Sequence, residues 1–113
     1  MEGAALDPAP LAGEILRLDD VDTGFSAKNP KRGRPNVVVG VAGAIVYVAP
    51  MSTDPHTDGV YLPGDLVEGI EECHVIDFPG RVLRSVAAAT EAAGFLPQPY
   101  LGRVIEQSKQ TSG

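Results

Sequence analysis

Ser52, Asp54 and His56 stand within five residues of one another and bring together the side-chain types of a hydrolase triad. Triad members normally come from separate elements that fix their mutual geometry. In the turn-forming stretch Met51–Gly59 the same residues read instead as Asx- and ST-turn formers, with the hydroxyls of Ser52 and Thr53 left as phosphate ligands. Cys73 and His74 are neighbours on a predicted strand, so their side chains face opposite ways and do not chelate one metal together. No C-x-x-C or H-x-x-x-H spacing supplies further ligands, and no metal is expected. A cysteine nucleophile would need His56 brought to Cys73 by the fold. Gly40 and Gly43 give G-x-x-G rather than the three-glycine dinucleotide fingerprint, and no cofactor is expected. The informative pair is Arg34, entering one apolar run, and Ser52, leaving the next. If the two runs form a hairpin, these residues share one rim. A planar guanidinium beside hydroxyls and loop N–H groups suits a phosphate.

Those residues must be positioned by short strands. Gly13–Leu18 reads as a first strand, and Asp19–Pro35 is a long aperiodic loop of the kind that usually carries function. Asn36–Val41 and Ala44–Ala49 are rich in β-branched residues and joined by Ala42-Gly43, a hairpin signal. Their near-continuous apolarity predicts central strands covered on both faces. Pro50 is expected to end the second, since it has no N–H for the ladder. Val60–Leu62, Cys73–Phe78 and Arg81–Leu83 read as further strands, with turns at Pro63-Gly64 and Pro79-Gly80. Ser85 is placed to cap a helix over Val86–Ala93 that Gly94 closes. A final helix begins near Pro97 or Pro99 and runs to about Lys109, with Tyr100, Leu101, Val104 and Ile105 on one apolar face. The expected class is mainly β (α+β): a small antiparallel barrel over residues 13–113 with short C-terminal helices, preceded by a flexible arm over residues 1–12.

Composition bounds the rest. A chain of 113 residues with 43% hydrophobic content has the size of one domain. Cys73 is the single cysteine, which excludes an internal disulfide and suits a reducing compartment. Met1–Leu11 does not read as a signal peptide. The longest apolar stretch, Val37–Pro50, is interrupted by Gly40 and Gly43 and falls short of the roughly 20 residues of a spanning helix. A cytoplasmic protein with no membrane partner is expected. The net charge of −6 argues against general nucleic-acid binding. Yet Phe25–Pro35 holds Lys28, Lys31, Arg32 and Arg34 without one acid, leaving five basic against fifteen acidic residues elsewhere. Such an island on an anionic body is either a solvated loop or a grip for a short run of phosphates.

In motif order the chain resembles the MazF/PemK toxins of type II toxin–antitoxin systems. Gly13-Glu14-Ile15-Leu16 is similar to the opening G-[DE]-I strand, and Arg34-Pro35-Asn36-Val37-Val38-Val39 to the R-P-x-[VL]-V-[VL] block. Val48–Thr53 is similar to the V-x-P-[IL]-[TS] strand end, and Gly94-Phe95-Leu96-Pro97 with Tyr100–Gln107 to the closing helix. The resemblance implies an SH3-like barrel that forms a homodimer, cleaves single-stranded RNA without a metal and is neutralised by an antitoxin protein. It implies that Arg34 stabilises the phosphorane or acts as acid, and that Ser52 holds the scissile phosphate. Lys28, Lys31, Arg32, Thr53 and His56 are then the substrate-binding residues. Many family members carry G-S-E in the first loop, where this chain reads Gly24-Phe25-Ser26 without the acid. The general base is thereby left open among His56, Asp54, Asp77 and none at all. The rival reading is a catalytically silent barrel that binds protein or nucleic acid, and a third is an assembly subunit.

Overall fold

The computed structural model describes residues 8–112, with side chains described to residue 109. The chain runs β1 (Glu14–Leu18), α1 (Asp20–Thr23), β2 (Arg34–Ala42), β3 (Ile45–Ser52), β4 (Val60–Leu62), β5 (Cys73–Val75), β6 (Gly80–Leu83), α2 (Arg84–Ala88), β7 (Ala92–Phe95) and α3 (Tyr100–Ser112). The strands form one antiparallel sheet in the order β4-β5-β3-β2-β1-β7, with β6 also pairing β3. This is the mainly β class expected: a curled half-barrel carrying a C-terminal helix.

The hairpin β2–β3 is the axis of the sheet. Its strands pair from Ala42↔Ile45 to Asn36↔Pro50, with an irregularity between Val38 and Gly40. The two-residue loop is Gly43-Ala44, one position later than the spacing suggests. Gly43 takes φ +59° and Ala44 does not turn positive, the arrangement of a type II′ turn that matches strand twist. Side chains alternate between two apolar clusters. One face gathers Ile15, Val37, Ala49, Met51 and Val75 beneath Leu101 and Val104 of α3. The other gathers Leu16, Leu18, Val38, Val46, Val48 and Val82 with Ala87 of α2. Val37 and Val38, adjacent in sequence, are both fully buried, which is why the run shows no polar alternation.

The structure departs from the sequence reading in several places. Pro50 does not end β3, which continues to Ser52. The carbonyl of Pro50 accepts from the N–H of Ile76, so its nitrogen faces the same side. There β3 exchanges partners, pairing β6 through Val48 and β5 from Met51. The missing donor therefore falls in a gap between ladders. Over Val86–Ala93 the expected helix is cut short: α2 spans Arg84–Ala88, Ser85 makes no cap, and Ala92–Phe95 is strand β7 on β1. Gly94, expected as a helix terminator, lies opposite Ile15, where a Cβ would come within 2.5 Å of Val67 Cγ1. Burial against the sheet overrides alanine propensity there. Strand β5 is only Cys73–Val75 because the chain turns at Ile76–Phe78, where the Phe78 N–H meets the Ile76 carbonyl. The expected arm falls outside the described residues as far as residue 7. Beyond it the chain is tied to β1, with the Leu11 N–H donating to Glu14 Oε2 at 2.8 Å.

Candidate functional site: a cationic rim at the open end of the hairpin

Arg34 opens β2, and the single turn α1 delivers its partner. Asp20 begins that turn because its backbone N–H bonds the Lys31 carbonyl at 3.0 Å, pinning the loop back on itself. Its side chain is then buried with Arg34, at 1% and 6% exposure. Arg34 Nε donates to Asp20 Oδ1 at 2.7 Å and Nη2 to Oδ2 at 3.0 Å, a bidentate fork. Nη1 donates to the Met51 carbonyl at 3.1 Å, and the Phe25 ring lies 4.9 Å from the guanidinium carbon. Phe78 meets Phe25 edge to face at 5.2 Å. Three of the five guanidinium N–H groups are thus taken, leaving one on each terminal nitrogen.

Asp20 also accepts the Lys31 N–H at 2.9 Å. Burial by itself would raise its pKa, but the Arg34 and Lys31 hydrogen bonds and both charges outweigh that and hold the carboxyl below its ordinary value. Asp19 Oδ1 accepts the Gly33 N–H at 2.8 Å, so two adjacent aspartates clamp the cationic loop. Asn36 caps this corner by donating to the Arg34 carbonyl. Its buried Oδ1 has no partner among the described residues, a cost tolerated beside the ion pair.

Two residues beyond Asn36↔Pro50 in the same register, Arg34 and Ser52 share one face of the sheet. The guanidinium reaches the Met51 carbonyl rather than the Ser52 hydroxyl. Ser52 Oγ accepts from the Asp54 N–H at 3.2 Å and from Thr57 Oγ1 at 3.3 Å, and Asp54 Oδ1 accepts from the His56 N–H at 2.9 Å. Ser52, Asp54 and His56 are therefore the ST and Asx turns that their clustering suggests, not a triad.

Along the same rim a cleft of about 210 Å³ opens, with Arg17, Lys31, Arg32, Thr53 and Glu71 in its wall. Arg17 spans it, donating to the Gly33 carbonyl at 3.4 Å and to the Gly69 carbonyl at 3.2 Å. Of the residues singled out from sequence, Lys31, Arg32, Arg34 and Thr53 meet at this cleft. Lys28 and His56 are exposed on their loops, and neither they nor Ser52 line it. Cys73 faces the core, where burial, with help from the Glu72 charge, pushes its thiol up to about 11, so it stays protonated at neutral pH. His74 faces outward from the same strand.

Sequence reasoning missed Asp20, Phe25 and Arg17. Fourteen residues separate Asp20 from Arg34, and only the fold of the loop joins them. Arg17 alone carried a signal, being the one polar residue between Leu16 and Leu18 of β1. No protein-family profile, curated protein or solved structure matches the chain.

Proposed function

We propose that the chain is an endoribonuclease of the MazF/PemK kind, cutting single-stranded RNA sequence-selectively and without a metal to leave 2′,3′-cyclic phosphate ends. The observation that carries this reading is Arg34: oriented by Asp20, set opposite Ser52 at the rim, and keeping two N–H groups. A donor fixed before substrate arrives needs no reorganisation as charge grows on the phosphate oxygens. Ser52 is used twice as an acceptor, so its own hydrogen remains for a phosphate oxygen. Lys31 and Arg32, at the cleft with Arg17 and Thr53, neutralise flanking phosphates, and Lys28 adds its charge from an exposed loop. The homodimer and the antitoxin implied by the resemblance belong to the same proposal.

Incubation of a long mixed-sequence RNA with the protein in EDTA tests it. Discrete fragments with cyclic ends are expected, and Arg34→Ala or Ser52→Ala should slow their appearance about 10²–10³-fold, the scale of one lost oxyanion donor. Unchanged cleavage by folded variants would remove these residues from the chemistry.

The near-complete closure of Arg34 by Asp20 and Phe25 favours a second reading, a silent barrel whose ion pair is structural and whose cationic rim only binds. RNA retained intact on a folded protein is the outcome that selects it.

A further inference from the structure

The fold assembles a row of polar side chains that no spacing in the sequence suggests. Ser52 of β3 is directly opposite His74 of β5, and His74 is directly opposite Tyr61 of β4. Paired residues in an antiparallel ladder share a face, so Arg34, Ser52, His74 and Tyr61 line up across four strands on one side. The core takes the alternate residues Val60, Leu62, Cys73 and Val75. Neighbouring strands are about 4.8 Å apart, which puts the backbones of Arg34 and His74 roughly 10 Å from one another with Ser52 between. That separation leaves room for one phosphodiester between the two residues, beside Ser52.

His74 is half-buried, and its ring packs against Tyr61 with centroids 5.5 Å apart and planes tilted by 57°. The phenol is engaged elsewhere, donating to the Glu72 carboxylate, which raises the Tyr61 pKa. Tyr61 therefore holds the imidazole by packing and keeps its own proton. No hydrogen bond within the described residues occupies either ring nitrogen of His74. Among ionisable groups, Tyr61 from β4 packs on it, Glu72 just before β5 bonds Tyr61, and the Arg34–Asp20 pair lies beyond Ser52. Asp20 itself is a poor base, being held ionised and already bonded by Arg34 and Lys31.

We infer that His74 is the general base of the rim, a catalytic residue that takes the 2′-hydroxyl proton of a ribonucleotide whose phosphate sits between Arg34 and Ser52. The inference rests on the ribonuclease reading above. A ring nitrogen of His74 accepts the proton as the 2′-oxygen bonds to phosphorus. The bond from phosphorus to the 5′-oxygen breaks, that oxygen takes a proton from water, and the hydroxide left behind takes the proton back from His74. The products are a 2′,3′-cyclic phosphate and a 5′-hydroxyl, with no oxidant, reductant or further reactant consumed. His56, the other histidine, sits on an exposed turn outside this row.

The test compares wild type, His74→Asn and His74→Gln on a mixed-sequence single-stranded RNA between about pH 5 and pH 9, with RNA affinity read separately by fluorescence anisotropy. A base worth the usual 10²–10⁴-fold should be lost from kcat in both variants, together with the acid limb of the kcat/KM profile, while affinity holds within about twofold. The defect should persist on an RNA whose scissile 5′-oxygen is replaced by sulfur, since that leaving group needs no acid. Rescue by the sulfur substrate would overturn the assignment by making His74 the donor to the leaving group. A wild-type-like rate or an intact acid limb in both variants would overturn it while leaving the ribonuclease standing. Absence of cleavage by the wild type would instead overturn the ribonuclease reading, and this assignment with it.

Discussion

Asp20 ties the rim together, because one carboxylate satisfies Arg34 twice and the Lys31 backbone once. Asp20→Ala strands a guanidinium at 6% exposure, and a buried pair broken on one side costs about 3–5 kcal/mol. Urea denaturation should show that loss, and Asp20→Asn should recover only part of it. The pH dependence has a definite sign. Since the folded carboxyl titrates below its ordinary value, its contribution is present above the unfolded pKa and disappears as pH falls through the folded one. Wild-type stability should therefore drop on acidification across that window, and Asp20→Asn should flatten this part of the curve. Arg34→Lys should not restore the wild-type state, because a point charge cannot reproduce the fork and the Phe25 stacking together.

Strands outrank local propensity where the sheet supplies the partner. β7 illustrates this: its alanines favour helix, yet pairing with β1 and burial of Leu96 against the core take them into the sheet. Gly94 is the residue that permits the approach. Gly94→Ala pushes a methyl into Val67, a short branched side chain with little room to yield, and should cost about 1–3 kcal/mol by overpacking. Thermal denaturation measures the cost, and amide exchange should locate it at β7 and the 63–72 segment. The same principle lets β3 run through Pro50, whose absent donor coincides with the exchange of partners between β6 and β5.

Across the whole molecule, an acidic chain gathers Arg17, Lys31, Arg32 and Arg34 at the open end of the central hairpin. That distribution predicts weak non-specific attraction to RNA and strong dependence on the ions at the rim. Lys31→Glu with Arg32→Glu should lower affinity for single-stranded RNA at least tenfold. It should also flatten the slope of log K against log salt by roughly 0.7 for each phosphate no longer neutralised. Anisotropy titrations over a range of salt concentrations measure both, and an unchanged slope would place the RNA elsewhere. Among the described residues no helix is long and apolar enough to cross a membrane.

Local pattern was enough for the strand-rich class, the central hairpin and the amphipathic last helix, because β-branched runs, a glycine turn and helical spacing act over a few residues. It also brought Arg34 and Ser52 to one rim, since the two strands of a hairpin return to the same end. The exact register is set by the later turn and the irregularity between Val38 and Gly40. Long-range folding was needed to lock Arg34 to Asp20, to bridge the two loops at the cleft with Arg17, and to stand His74 beside Ser52. Those juxtapositions depend on where β5 docks and on how the 19–33 loop folds back. Both are settled by burial and by hydrogen bonds between residues far apart in the chain, a balance that no local pattern encodes.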